Sequence, residues 1–457
     1  MQRASRQDRV TPHGVIAAGF IACAMVLGGG GSPAPTTELL LQIAFVIAGL
    51  AWLWSTRHDA CKGQRPPRLL LLFGAALLIV PFVQLVPLSP AIWQALPQRE
   101  LQVATLSLVA AEDGWRPLSI APHVTLAGWL ALVPAIGTMW AVSTLGEHDR
   151  AMVLATVAIL ALAGAILGAM QMAVGQDAFR LYERSHRGWL TAFHANRNAA
   201  ADVLVIGALA TTSAFATWSR KSAVSTSAGL TVAAVLLVLF VALLLTGSRA
   251  GIALGMISLV VHFYILRPDR ALSLTKARVA IVAATIAVIG VLIAAENQQI
   301  VRVLQRFDVT TDARIAIWQD SWMALLAYWP VGSGVGTFGT AFQPFESLAA
   351  LDSAFVNRAH NDYIEFLIEG GMLAAGLLLA GALAVVMLAR HAWRVSPQNH
   401  ALQLFALGTL ALVALHSIVD YPLRNMAVAC LAGMAMGLLT KTPQTDAGRS
   451  GRKGRDE

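Results

Sequence analysis

The sequence predicts an all-α fold, a polytopic integral membrane protein with about twelve transmembrane helices. Three observations lead there. Hydrophobic residues make up 57% of the 457 residues and charged residues only 13%, against about 45–50% and about 25% in soluble domains. Mean hydropathy is +0.64, and apolar runs of near-spanning length recur along the whole chain. So few charges cannot cover a water-exposed surface. A secreted enzyme, a nucleic-acid-binding domain and a disordered protein are therefore excluded as readings of the whole chain.

The apolar runs fall at 14–30, 38–54, 69–88, 124–144, 151–172, 199–217, 230–246, 251–266, 279–295, 368–389, 402–418 and 426–440. Each approaches the length that crosses ~30 Å of hydrocarbon. Arg3, Arg6 and Arg9 ahead of the first run resemble the start of a signal peptide. The many spans that follow favour an uncleaved first anchor. With the N-terminus in the cytoplasm, both termini are cytoplasmic. The inner segments then hold 21 of the 33 Lys and Arg but only 8 of the 25 acids, as the positive-inside rule requires. The net charge of +8 is thus a matter of topology, and no nucleic-acid partner is implied.

All five lysines (Lys62, Lys221, Lys276, Lys441 and Lys453) fall on the inner side, so every outer cation is an arginine. The planar guanidinium fork suits phosphate oxygens, which points to an anionic ligand outside. Residues 1–440 read as one membrane domain and 441–457 as a polar, disordered cytoplasmic tail. The longest outer loops are 89–123, 173–198 and 296–367. Cys23, Cys61 and Cys430 show no C-x-x-C or Cys/His spacing, so neither a disulfide framework nor a zinc site is expected.

The residues able to do chemistry cluster at the outer edge. Asp312 can cap a helix starting near Arg314, where Ile315, Trp318, Trp322, Leu325 and Trp329 repeat at helical spacing until Pro330 stops it. Such a helix suits the membrane interface, and it would hold Arg314 at headgroup depth. The run Gly332 to Gly339 lacks the strand and the lysine of phosphate-binding loops and reads as a tight turn. His360 lies among Arg358, Asn361, Asp362 and Glu365 and is a candidate general base as well as a candidate structural histidine. Arg249 stands in the short turn Thr246-Gly247-Ser248-Arg249 between two spans, where a charge is either functional or snorkelling. Gly247, Gly251 and Gly255 repeat every four residues, a helix-packing signal. His194, Arg197 and Asn198 precede the sixth span, with Asp202 one turn inside it, and His416, Asp420 and Arg424 close the eleventh. Each of these groups reads equally as hydrogen-bonded structure or as binding surface. The outer loops carry no D-x-D, E-x-D or H-E-x-x-H pattern, so no metal and no cofactor is expected. Ionisable groups are missing from the span middles, which counts against a proton-coupled small-solute transporter.

The segments Leu245 to Gly251, Asp312 to Arg314 with Trp318, Pro330 to Phe338 and Ala359 to Tyr363 resemble the O-antigen ligase superfamily in order and spacing. So do Ala195 to Asn198 and His416 to Pro422. The resemblance covers roughly residues 190–425, with the long loop 296–367 inside it. It implies a glycosyltransferase C-type helical fold in the bacterial inner membrane. It also implies metal-independent, inverting transfer of a glycan from a polyprenyl diphosphate carrier to a lipid or glycan acceptor hydroxyl at the outer face. O-antigen and exopolysaccharide polymerases share the superfamily and remain an alternative. The catalytic residues would be His360, Arg249 and Arg314. Arg197, Asn198, Asp362, Glu365, His416 and Asp420 would line the substrate, with Asp362 or Glu365 orienting His360. The topology has a direct check: a reporter fused after residue 340 should read extracytoplasmic, and a cytoplasmic signal would overturn it.

Overall fold

The structure, a computed structural model, describes residues 10–30, 35–58, 65–175, 177–219, 226–266, 314–348 and 355–442. Eleven apolar helices fall on eleven of the expected spans. They are α1 Pro12–Leu27, α2 Pro35–His58, α3 Arg68–Gln84, α6 Pro122–Ser143, α7 Glu147–Val174, α8 Arg197–Ser219, α9 Thr226–Leu245, α10 Arg249–Leu266, α13 Asp362–Val395, α14 His400–His416 and α15 Met426–Leu438. Among them α2, α6, α7, α8, α9, α10 and α13 are long and apolar enough to cross a membrane, and α1, α3, α14 and α15 are shorter apolar helices. The span expected at 279–295, the Asp312 cap and the tail from residue 443 lie outside the described residues. Two short helices, α4 Pro90–Trp93 and α5 Glu100–Ser107, and a two-residue hairpin follow α3, and α11 Arg314–Tyr328 and α12 Phe338–Phe342 precede α13. The hairpin pairs β1 Pro87–Leu88 with β2 Arg116–Pro117.

Residue size sets the packing. The central helix is α8, buried along almost its whole length, and most of its buried residues are Gly, Ala, Ser or Thr. Small side chains let helix backbones approach closely where lipid offers no hydrophobic drive between helices. A Cβ at Gly207 would overlap Ala161 on α7, and one at Gly251 would overlap Ala201 on α8. Gly255 packs on Leu243 in the same way, so the four-residue glycine repeat is a packing device. On α15, Gly433 and Gly437 meet the backbone of α6 at Ala135 and Met139. By contrast α2 leaves Leu39, Ile43, Val46, Ile47, Leu50 and Trp54 exposed, a surface suited to hydrocarbon.

The two ends of the bundle are polar and distinct. At one end Arg150 is buried and donates to the carbonyls of Ser143, Leu145, Leu438 and Thr440 and to the Thr440 hydroxyl. It thereby satisfies the carbonyls that the ends of α6 and α15 leave unpaired. The other end gathers the starts of α8, α10, α13 and α15 with the ends of α1 and α14. There Gly28 accepts from Ala427, and Gly29 accepts from Ala195.

Helix α13 is broken at Gly371, whose backbone is non-helical (φ 54°, ψ −137°). A break inside a membrane helix must have its freed polar groups satisfied locally. The loop after α11 does this with backbone groups. Ser333 N donates to Ile368 O, Gly334 N to Glu369 O, and Met372 N to Pro330 O. Gly332, Gly334 and Gly336 all have positive φ, the region that glycine enters at least cost. The glycine-rich run is therefore more than a tight turn: it is a docked segment held by the break. Helix α11, described from Arg314 onward, ends ahead of Pro330 as expected. Its buried face, however, is Ser321, Ala324, Leu325 and Tyr328, while Trp322 and Trp329 are exposed, as an interfacial helix requires.

Gly371→Ala should be severely destabilising. A Cβ there would overlap Pro330 O on a left-handed backbone, at a cost above ~2 kcal/mol. The detergent-solubilised variant should melt several degrees below wild type, and an unchanged melting curve would refute this account of the break.

Candidate active site

His360 is fixed from both sides of the chain. It adopts positive φ (49°), which turns its ring out of the line of α13. The next residue, Asn361, caps α13 by accepting from Tyr363 N and Ile364 N, both at 3.0 Å. Ala359 O accepts from Trp318 Nε1 at 3.0 Å, so α11 holds the preceding peptide. The link between α14 and α15 is stitched to the same place. Asp362 N donates to Ser417 O and Asp420 O, and the Asp362 carboxylate accepts from Ser417 Oγ and Leu423 N.

This stitching delivers Asp420 to His360, with Nδ1 and Oδ1 3.0 Å apart and side chains 29% and 4% exposed. The histidine can reach solvent and its partner cannot. Asn198 Nδ2 donates to the other oxygen, Oδ2. Burial pushes the Asp420 carboxyl up, but the His360 hydrogen bond and the charges of His416, His360 and Arg314 outweigh it and hold the group down at about 2. An ionised Asp420 accepting from Nδ1 leaves Nε2 of a neutral His360 as its basic nitrogen. Tyr421 meets the His360 ring edge-on at 5.0 Å and accepts a hydrogen bond from Asn196 Nδ2.

Asp362 and Glu365 do not orient His360, contrary to the sequence expectation. With Glu369 they follow i, i+3, i+7 spacing, one face of α13, and that face turns toward Arg424. The Arg424 Nε lies 3.2 Å from Glu365 Oε1 and 3.8 Å from Asp362 Oδ1, and its Nη2 lies 2.7 Å from Glu369 Oε2. Arg358 adds a 2.8 Å bond to Glu365. Glu369 also accepts from Phe338 N, so the cluster reaches the docked glycine segment. Burial alone would lower the Arg424 guanidinium, but Glu369, Glu365 and Asp362 raise it above its ordinary value. Arg424 had been noted only as a member of the His416 group, and Glu369 had not been singled out. The signal was present, since three acids on one face of an apolar helix demand a shared cation.

Arg197 and Arg249 are the first residues of α8 and α10, and Arg314 is the first described residue of α11. Cations are disfavoured at helix starts, whose partial positive charge favours anions, so the placements of Arg197 and Arg249 suit a negatively charged ligand. Trp189 links two of them. The Arg197 guanidinium lies 5.1 Å from its ring, and a Cβ on Gly247 (φ +61°), two residues before Arg249, would overlap that ring. The close Gly251–Ala201 contact sets the start of α10 beside that of α8. Arg314 belongs with His360: its charge bears on Asp420 and His416, and Trp318 one turn on holds Ala359. The structure thus brings His360, Asp420, Asn198, His416 and Arg314 together. It groups Arg249 with Arg197 around Trp189, and it sets Asp362 and Glu365 behind the site.

A half-exposed histidine thus rests on a buried carboxylate, with the charge of Arg314 bearing on that carboxylate. Residues 233–379 match the family model described as O-antigen ligase, and the match supports the O-antigen ligase superfamily for this chain. It supports a membrane enzyme of cell-surface polysaccharide biosynthesis. The matched segment contains Arg249, Arg314, His360, Asp362 and Glu365, whereas Arg197, Asn198, His416 and Asp420 fall outside it. A comparison with curated proteins finds no match.

Removing the cation shared by these buried acids has a measurable cost. Arg424→Gln leaves Glu365, Glu369 and Asp362 without their shared partner and should cost about 3–5 kcal/mol. The check is thermal melting of the purified variant, and wild-type stability would show that Arg358 and the backbone donors suffice.

Proposed function

We propose that the protein transfers a glycan from a polyprenyl diphosphate carrier to an acceptor hydroxyl at the outer face of the bacterial inner membrane, as O-antigen ligases do. The observation that carries this reading is the His360–Asp420 pair with Arg314 beside it, in a chain whose segment 233–379 matches that family. The acceptor oxygen attacks the anomeric carbon as its proton passes to His360 Nε2. The bond from that carbon to the diphosphate oxygen breaks, and the electron pair leaves on the diphosphate. Direct displacement inverts the anomeric centre. Asp420 keeps Nδ1 protonated and steadies the imidazolium that forms.

Charge grows on the bridging oxygen as the bond breaks, and Arg249 and Arg314 supply guanidinium forks for it. Lys in place of Arg249 keeps the charge but loses the fork. In this reading the site needs neither metal nor cofactor. Arg197 and Asn198, at the start of α8, border the substrate.

The test uses purified protein in lipid nanodiscs with a polyprenyl-diphosphate-linked glycan and an acceptor lipid. His360→Ala should lower transfer by about 10²–10⁴-fold while carrier binding persists. Arg249→Lys, at matched abundance, should lose ~3–4 kcal/mol of transition-state stabilisation. Near-wild-type turnover in either variant would remove that residue from the mechanism.

A further inference from the structure

Behind His360 and Asp420 lies a second histidine–carboxylate pair that the proposed reaction does not use. His416 ends α14, and Asp202 sits one turn inside α8. Their side chains are 1% and 4% exposed, and His416 Nδ1 lies 2.7 Å from Asp202 Oδ1. On its other edge, His416 Nε2 faces Asp420 Oδ2 at 3.8 Å. The imidazole therefore stands between two carboxylates, and Asp420 stands between two imidazoles.

Helical register makes this row. Asn198 and Asp202 are four residues apart on α8, so one face of that helix sends Asn198 to Asp420 and Asp202 to His416. His416 and Asp420 have the same spacing at the end of α14. Acid and base thus alternate from the bundle interior to the solvent-reaching ring: Asp202, His416, Asp420, His360. The other groups facing the row are Arg314 from α11, whose charge bears on His416 and Asp420, Tyr421 against the His360 ring, and the neutral donor Asn198.

We propose that Asp202 and His416 are positioning residues for His360. His416, drawn toward its charged form by the two carboxylates it faces, bears on Asp420 Oδ2 across 3.8 Å and takes a share of its charge, while Asn198 Nδ2 holds that oxygen and leaves Oδ1 to His360. His360 then faces a carboxylate that is oriented and whose charge is shared with a second imidazole. Only the use of His360 as a base rests on the transferase reading, because the charge coupling along the row is independent of it.

The experiment is diethyl pyrocarbonate modification of the full-length protein in nanodiscs across a pH series, read residue by residue by mass spectrometry. Neutral imidazole reacts, His360 is accessible, and buried His194 and His262 report the fold by staying protected. His416→Gln removes the positive ring and leaves Asp202, so the pH of half-maximal His360 modification should rise by about 0.5–1. Asp202→Asn should move it the same way by less, since the ring then loses its charge together with its partner. A midpoint that stays or falls, in whichever variant keeps His194 and His262 protected, overturns the proposal. So does loss of protection in both variants, which would make the pair a fold element instead. Glycan transfer measured in parallel separates the two readings. A shifted midpoint without transfer by wild-type protein sinks the transferase and leaves the row. Wild-type transfer with an unmoved midpoint sinks the row alone.

Discussion

Everything at the site end hangs on one shared cation, itself partly exposed, between acids that are buried. Arg424 is held among Asp362, Glu365 and Glu369, and a charge in such surroundings is tolerable only when paired and hydrogen-bonded. Those pairings tie the link after α14 to the first two turns of α13. Once they are made, Asp420 has little freedom in where it lies. Its placement against His360 follows from the same stitch, through the backbone bonds of Asp362 to Ser417 and Asp420. The ion cluster therefore does its work through geometry rather than by contact with a substrate.

Position along α13 separates two kinds of acid. Glu365 and Glu369 are closed off and neutralise arginines. Asp420, on a neighbouring element, is the carboxylate that reaches the half-exposed histidine. The starts of α8 and α10 and the first described residue of α11 contribute arginines on the same side, two of them brought together by Trp189 and Gly247. A helical bundle with its starts and ends gathered at one face thus assembles a polar site from five sequence-distant segments without a soluble domain.

The bundle itself was legible from periodicity and composition, because length and apolarity alone define a spanning helix. The Arg249, Arg314 and His360 positions were legible because charged residues at the ends of apolar runs are few. Partner choice was not. Asp362 and Glu365 are the acids nearest His360 in sequence, and proximity favoured them. Helical spacing decided otherwise, since their face of α13 points to Arg424, while Asp420 arrives from sixty residues away. The break at Gly371 was hidden too. Its glycine pair, Gly370-Gly371, sits in an apolar run and reads as ordinary helix until the docked segment supplies partners for the freed backbone.

That docked segment has a consequence for how such a protein can change. Ser333, Gly334 and Pro330 meet α13 through main-chain groups, and three glycines make the conformation accessible. The tie to α13 is thus written in backbone, while Phe338, Ala341 and Phe342 are buried in a cluster with Ile368, and Thr337 bonds back to Ser333 and Gly334. Substitutions at exposed positions such as Thr340 and Gln343 leave those main-chain ties in place, so the surface of the loop can vary while its framework stays in register.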